Sequence, residues 1–305
     1  MYTLPQTKLP DLTGKVKKDQ YPFANNGSLA DVWKGEYRRD SRAAPIFVAI
    51  KVIRNIFSGE EVERWNAKLI REGRVWSMLK HPNITPFIGV CYDLTPHGQS
   101  SLISPYYKNK DAVSYLKETP QANRVALLRQ IASGLAYLHS QSPPIVHGDM
   151  KGSNILINDQ GEACLTDFGL SRIIETTGFT TKNLSGTTRH LAYELLLVSS
   201  DPELASPTAL RVTVATDIWA FGMTALQIIA GRQPFANMDK DAKVILHVIA
   251  GGIPDKEAQG MAGSVSLWSA LEACWDKTPE KRISMRRMEQ YLADLLKKPK
   301  YASPR

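Results

Sequence analysis

Apolar and polar residues change period along this chain. In Ile46-Phe47-Val48-Ala49-Ile50-Lys51-Val52-Ile53 the alternation is strand-like and puts Ala49 and Lys51 on one face. From Gly59 to Leu79 the spacing shifts to threes and fours, with Leu69, Glu72, Trp76 and Leu79 in register, and the run stops before His81-Pro82-Asn83. That is a helix with a proline-enforced end. The rest of the chain up to about Ser104 is strand-rich.

Beyond the short link Pro105-Tyr106-Tyr107-Lys108-Asn109 the pattern turns helical. Leu128, Ile131, Leu135 and Leu138 form one apolar stripe, and further helices are expected at Thr216 to Ala230, Asp241 to Ala250, Val265 to Trp275 and Ser284 to Leu296. Between them Ile155-Leu156-Ile157 and Ala163-Cys164-Leu165 read as two strands turning at Asn158-Asp159-Gln160-Gly161. No internal repeat is visible. The expected fold is α+β: a small, mostly antiparallel sheet domain with one helix, hinged to a larger helical domain, with a ligand cleft between them. The boundaries expected are an N-terminal extension over 1–19, a folded region over about 20–296 dividing near 104 and 105, and a basic tail over 297–305.

Composition narrows the class. The chain has 305 residues, 43% of them apolar and 22% charged, which is ordinary for a globular protein large enough to bury a core. Cys91, Cys164 and Cys274 are scattered, without the spacing of a zinc site, and read as buried thiols of a reducing compartment. The start lacks a basic segment followed by an apolar one, and no apolar run reaches the length of a membrane span, so a cytoplasmic chain is expected. The net charge of +8 is spread along the chain, with short clusters at Lys15-Val16-Lys17-Lys18 and Lys297-Lys298-Pro299-Lys300. It favours anionic ligands and acidic peptide partners rather than nucleic acid. The six histidines lie far apart and suggest no metal site, and Trp33, Trp76, Trp219 and Trp275 read as core.

The chemistry is concentrated in His147-Gly148-Asp149-Met150-Lys151-Gly152-Ser153-Asn154 and in Asp167-Phe168-Gly169. These supply a base, a phosphate-facing cation and two groups able to hold a metal, which is the inventory of a phosphoryl-transfer centre. Asp149 and Asn154 bracket a tight loop, and the hairpin after it brings Asp167 back beside Asn154. Lys51 could neutralise the α and β phosphates of a nucleotide, with Glu72 holding the ammonium. Either residue alone would be an ordinary surface charge; together they form a pair.

Val48-Ala49-Ile50-Lys51, Glu72, the Asp149 to Asn154 loop and Asp167-Phe168-Gly169 occur in the order and at about the intervals of eukaryotic protein kinases, and here the chain resembles that family. The resemblance runs from about Gln20 to Leu296. It takes in Asp217-Ile218-Trp219-Ala220-Phe221-Gly222, Gly231-Arg232-Gln233-Pro234-Phe235 and Cys274-Trp275-Asp276-Lys277-Thr278-Pro279-Glu280-Lys281-Arg282. The Cys-Trp pair looks like the tyrosine-kinase and tyrosine-kinase-like branches. The Asp149 loop is similar to kinases of the latter branch expanded in mushroom-forming fungi.

The resemblance implies ATP and Mg²⁺ as cofactors and protein substrates, with no nucleic acid, no membrane span and no particular oligomeric state. It implies that Asp149 orients and deprotonates the attacking hydroxyl, that Lys151 stabilises charge on the transferred group, and that Asn154 and Asp167 hold Mg²⁺. Val32 and Ala49 would lie above adenine and Leu156 below it, Ser104 at the back of the pocket, and the Pro105 carbonyl and Tyr107 amide on the base edge. Lys151, and Thr187 after Gly186, resemble serine/threonine kinases.

Several positions depart from the family pattern. The glycine-rich loop becomes Asn25-Asn26-Gly27-Ser28-Leu29-Ala30-Asp31-Val32, with only Gly27 retained, which predicts a stiffer phosphate-covering turn. Gly148 stands where many kinases have an arginine that pairs with a phosphorylated activation segment, although Ser171, Thr176, Thr177, Thr180, Thr181 and Ser185 offer hydroxyls there. Ala192-Tyr193-Glu194 replaces Ala-Pro-Glu and keeps the glutamate expected to pair with Arg282. Ser199 to Pro207 reads as an inserted surface loop. Two rival readings remain: a nucleotide-binding pseudokinase without turnover, and a small-molecule phosphotransferase. Lys151, the Thr187 to Glu194 platform and the Asp217 and Arg282 motifs weigh against the second.

Overall fold

The computed structural model describes residues 8–24, 30–54, 59–95, 98–168, 188–200 and 212–301. Gly27, Gly169, Thr187, the hydroxyls from Ser171 to Ser185 and the expected insertion from Asp201 onward lie outside these residues. The chain divides into two compact units, Met1–Tyr107 and Lys108–Arg305.

The first unit is a five-stranded antiparallel sheet with one helix. Strands β1 (Val16–Ala24), β2 (Ala30–Tyr37), β3 (Ile46–Ile53), β4 (Gly89–Cys91) and β5 (Ser101–Pro105) lie in the order β1-β2-β3-β5-β4, and α1 spans Gly59–Met78. The alternation in β3 sets its two faces: Val48 and Ile50 are fully buried in a cluster with Leu12, Val16, Cys91 and Ile103, which turns Ala49 and Lys51 to the other side. Helix α1 buries Leu69, Glu72, Gly73 and Trp76. The expected N-terminal extension joins this unit well before residue 20. Leu9 and Leu12 are buried, Asp11 bridges Val90 in parallel, and the Leu12 amide donates to the Val90 carbonyl at 2.8 Å. Two apolar residues three apart were too sparse a signal to reveal this strand-like segment.

The second unit is mainly helical. Among the described residues it contains α2 (Ala112–Glu118), α3 (Arg124–His139), the hairpin β6 (Ile155–Ile157) and β7 (Ala163–Leu165), α4 (Tyr193–Ser200), α5 (Val214–Ala230), α6 (Asp241–Ile249), α7 (Val265–Glu272) and α8 (Met285–Leu296). Its apolar stripe on α3 is buried, with Leu128, Ile131, Leu135 and Leu138 at most 1% exposed, and α3 packs along α8. Helix α5 starts before the expected Thr216 because Thr213 caps it: the Thr213 amide donates to Thr216 Oγ1 at 2.8 Å and the Thr216 amide donates back to Thr213 Oγ1 at 3.2 Å. It ends at Gly231, whose left-handed φ of 68° costs glycine little. Ile218, Trp219, Phe221, Met223, Leu226 and Ile228 are all buried, so α5 is enclosed on several sides. Helix α2 has no counterpart in the sequence reading, since seven residues are too few to display a period; Asp111 caps it, accepting from the Val113 and Ser114 amides at 2.9 and 3.0 Å. No helix among the described residues is long and apolar enough to cross a membrane.

The expected Glu194–Arg282 pair is present and bidentate, both N–H···O distances being 2.7 Å. Arg282 also donates to the carbonyls of Asp276 at 2.9 Å and Ala215 at 2.8 Å, and its guanidinium carbon lies 5.1 Å from the centre of the Trp219 ring. One fully buried side chain thus joins the start of α4, the start of α5 and the loop before α8. Glu194→Ala is expected to lower the unfolding free energy by about 3 to 5 kcal/mol, because it leaves the Arg282 charge buried without its partner. Glu194→Gln, which keeps one acceptor oxygen, is expected to lower it less. Chemical denaturation of the two variants checks both the size and the ranking.

Candidate active site

In the first unit, strand register gathers the expected nucleotide-binding residues on one sheet face. Val32 is the cross-strand partner of Lys51, Lys51 and Ala49 are two apart on β3, and Ala49 is the partner of Ser104. Cross-strand partners share a face, and so do residues two apart, so all four side chains point the same way. Pro105 is paired with Val48 at the end of β5, and half-buried Tyr107 follows it. Lys51 Nζ lies 4.0 Å from Glu72 Oε1, with the two side chains 10% and 5% exposed. The two side chains thus meet in a largely buried setting.

In the second unit, the chemistry-bearing loop is held from below by Asp217, 1% exposed on α5. Its carboxylate accepts from the amides of His147 at 2.7 Å and Gly148 at 2.8 Å, and His139 Nε2 lies 2.9 Å from it. Gly148 has a φ of 78°, a left-handed backbone that glycine adopts without the steric penalty of a side chain. His147 is fully buried, and burial pushes its pKa down against the opposing pull of Asp217, Asp149 and Asp167. Its Nδ1 accepts from the Asp149 amide at 3.3 Å, and its ring meets Phe168 edge-on at 6.2 Å.

Asp149 Oδ2 lies 2.7 Å from Lys151 Nζ and accepts from Asn154 Nδ2 at 2.8 Å. Burial alone would raise the Asp149 pKa, but the Lys151 charge and the hydrogen bonds from Lys151 and Asn154 outweigh it and hold the carboxyl below its ordinary 3.8. Asn154 Nδ2 also donates to the Asp149 carbonyl at 2.7 Å, which fixes the amide and turns its oxygen away from Asp149. The β6–β7 hairpin pairs Ile155 with Leu165, and the Thr166 amide donates to the Asn154 carbonyl at 3.1 Å. Asp167, with a φ of 60°, therefore follows directly beside Asn154. Leu156, half-buried on β6, bridges Asp111. Asn154 and Asp167 offer an amide oxygen and a carboxylate, the hard ligands that a dication such as Mg²⁺ takes alongside phosphate and water.

Two contributors had gone unassigned in the sequence reading. Asp217 belonged to a quoted motif, but nothing local indicated that its carboxylate reaches back some seventy residues to the loop. His139 looked like an isolated histidine at the end of a helix. Asp217→Asn leaves one acceptor oxygen for these donors and is expected to cost about 1.5 to 3 kcal/mol, the worth of a hydrogen bond to a charged group. Amide exchange at His147 and Gly148 should accelerate with it; hydrogen exchange read alongside thermal unfolding checks both, and unchanged protection would mean that the loop is held by other contacts.

The protein tyrosine and serine/threonine kinase family model matches residues 24–292. Serine/threonine-protein kinase CTR1 of Arabidopsis thaliana is 26% identical over 279 residues, 89% of this chain and 31% of that protein. Mitogen-activated protein kinase kinase kinase 10 of Xenopus laevis is 27% identical over 307 residues, 92% of this chain and 28% of its own length. Seven transmembrane domain-containing tyrosine-protein kinase 1 of Dictyostelium discoideum is 30% identical over 264 residues, covering 83% and 34%. The chain spans about a third of the length of these curated relatives, whose names include both serine/threonine and tyrosine kinases. With most of its length matched by one family model, the chain belongs to the protein tyrosine and serine/threonine kinase family.

Proposed function

We propose that this chain transfers the γ-phosphoryl group of ATP, used as its Mg²⁺ complex, to serine and threonine hydroxyls of protein substrates. The observation that carries the reading is the Asp149 carboxylate, held ionised 2.7 Å from Lys151 Nζ and 2.8 Å from Asn154 Nδ2 in a loop clamped to Asp217.

Asp149 orients the acceptor hydroxyl and takes its proton as the oxygen attacks phosphorus. Lys151 meets the charge that spreads over the phosphoryl oxygens in the transition state. Asn154 and Asp167 would hold Mg²⁺, which when bound neutralises charge on the phosphates. Lys51, steadied by Glu72, would meet the α and β phosphates, and the sequence motif that holds Gly27 is assigned to covering them. For adenine, the first unit offers Val32, Ala49, Ser104, the Pro105 carbonyl and the Tyr107 amide, and the second unit offers Leu156. Lys151 and Thr187 favour an aliphatic hydroxyl over a phenolic one. The retention of Lys51, Glu72, Asp149, Asn154 and Asp167 argues against a scaffold without turnover. The Glu194–Arg282 clamp supports a peptide acceptor, since a small alcohol or amine needs no such platform. A cytoplasmic site of action is part of the same proposal.

Incubation with Mg²⁺, γ-labelled ATP and a generic protein substrate, followed by identification of the modified residues, tests the reading. Label is expected on serine and threonine and is expected to fall by about 10²- to 10⁴-fold in Asp149→Asn. Label retained in that variant, or found on small alcohols and amines instead, would overturn it, as would ATP binding with no transfer.

Lys151→Met should lower kcat and also shift the pH profile. Removing the cation takes away the largest influence that lowers the Asp149 pKa and so raises it. The base then protonates sooner as pH falls, so the acidic limb of kcat should move to higher pH in the variant than in wild type. A pH–rate series on both proteins checks this.

A further inference from the structure

Arg189 carries no motif signal, yet its guanidinium makes four hydrogen bonds. It belongs to the 3-10 turn Thr188–His190. Nε donates to Asp241 Oδ1 at 2.9 Å, Nη1 to the carbonyls of Pro234 at 3.0 Å and Phe235 at 2.9 Å, and Nη2 to the carbonyl of Met238 at 2.9 Å. Its side chain is 13% exposed, so it is itself poorly placed to read a substrate from solution.

The acceptors are arranged for it. Phe235 has a φ of 57°, a left-handed backbone that bulky residues avoid unless their surroundings impose it. Its ring is buried and meets His247 of α6 edge-on at 5.8 Å, while its carbonyl receives Arg189. Asp241 opens α6. One planar fork therefore ties the Thr188–His190 turn to segment 234–241.

On its other side the same turn adjoins the base. His190, Leu191 and Ala192 line a small cavity of about 20 Å³ together with Gly148, Asp149 and Met150. His190 is buried, with a pKa pushed down to about 4 chiefly by that burial. The Arg189 latch thus stands at the start of the stretch that the Glu194–Arg282 pair fastens at its end.

We propose that Arg189 is a positioning residue for the acceptor: by latching the Thr188–His190 turn to segment 234–241 it sets where a substrate side chain stands relative to Asp149. This rests on the protein-kinase reading and deepens it. The latch needs arginine, because three carbonyls and a carboxylate around one plane match a guanidinium fork and not the single point charge of lysine.

Steady-state kinetics on Arg189→Lys and Arg189→Ala, varying peptide and ATP separately, test it. Both variants are expected to raise the peptide KM about tenfold or more while leaving the KM for ATP and peptide-independent ATP hydrolysis unchanged, since small displacements of an acceptor have large kinetic effects. Asp241→Asn, which leaves the three carbonyl bonds in place, should have the same effect in smaller measure. Hydrogen exchange in Arg189→Lys should quicken in 188–192 by more than in the rest of the second unit. An unaltered peptide KM in Arg189→Lys, or a parallel rise in the KM for ATP, would overturn the proposal. Should wild type transfer phosphate to no protein, the kinase reading fails on its own account, and unchanged exchange in 188–192 would then remove the latch as well.

Discussion

The arrangement of the second unit depends on one buried carboxylate. Asp217 accepts from two consecutive loop amides and lies within hydrogen-bond distance of the His139 ring, at 1% exposure. Hydrogen bonds to an ionised acceptor are short and directional, and in a dry interior they gain strength. The helix that carries Asp217 is enclosed on several sides by apolar packing, so the anchor is as rigid as the core around it. That rigidity passes to the loop, and through the loop to the direction of Asp149.

Electrostatic balance at Asp149 follows from the same construction. Burial by itself raises the pKa of a carboxyl. Lys151 and Asn154, two and five residues further along the same turn, reverse that tendency. His147, one turn deeper, stays neutral because burial outweighs three nearby carboxylates, and so adds no competing cation. The charge balance at Asp149 is therefore built within eight consecutive residues and oriented by a single distant one.

Departures from the family pattern acquire physical meaning in this setting. Gly148 replaces a residue that in many kinases carries a cation, and its left-handed backbone is one that glycine adopts readily. Tyr193 replaces the proline of the Ala-Pro-Glu motif, yet the adjacent Glu194 keeps its bidentate bond to Arg282. The framework holding residues 188–194 thus rests on two arginines rather than on the motif's proline, one sealed in the core and the other spread over the backbone of segment 234–241.

Much of this was legible in the sequence. The period-two alternation of Ile46–Ile53, the helical stripe of α3 and the turn between β6 and β7 are local properties, and the structure has each within a few residues of its expected place. Pairing of Lys51 with Glu72, of Glu194 with Arg282, and the return of Asp167 beside Asn154 were also foreseen, because specific residue types at characteristic intervals announced them. The early strand-like segment at Asp11 and the short α2 were missed, since neither is long enough to establish a period. By itself, then, the sequence determined the longer elements, the fold class and the chemical inventory of the site, because backbone periodicity and side-chain chemistry are written residue by residue. Only the tertiary structure decided that Asp217 anchors the loop and that Arg189 latches its turn, because their partners are mainly backbone amides and carbonyls, which every residue offers alike and which only folding selects.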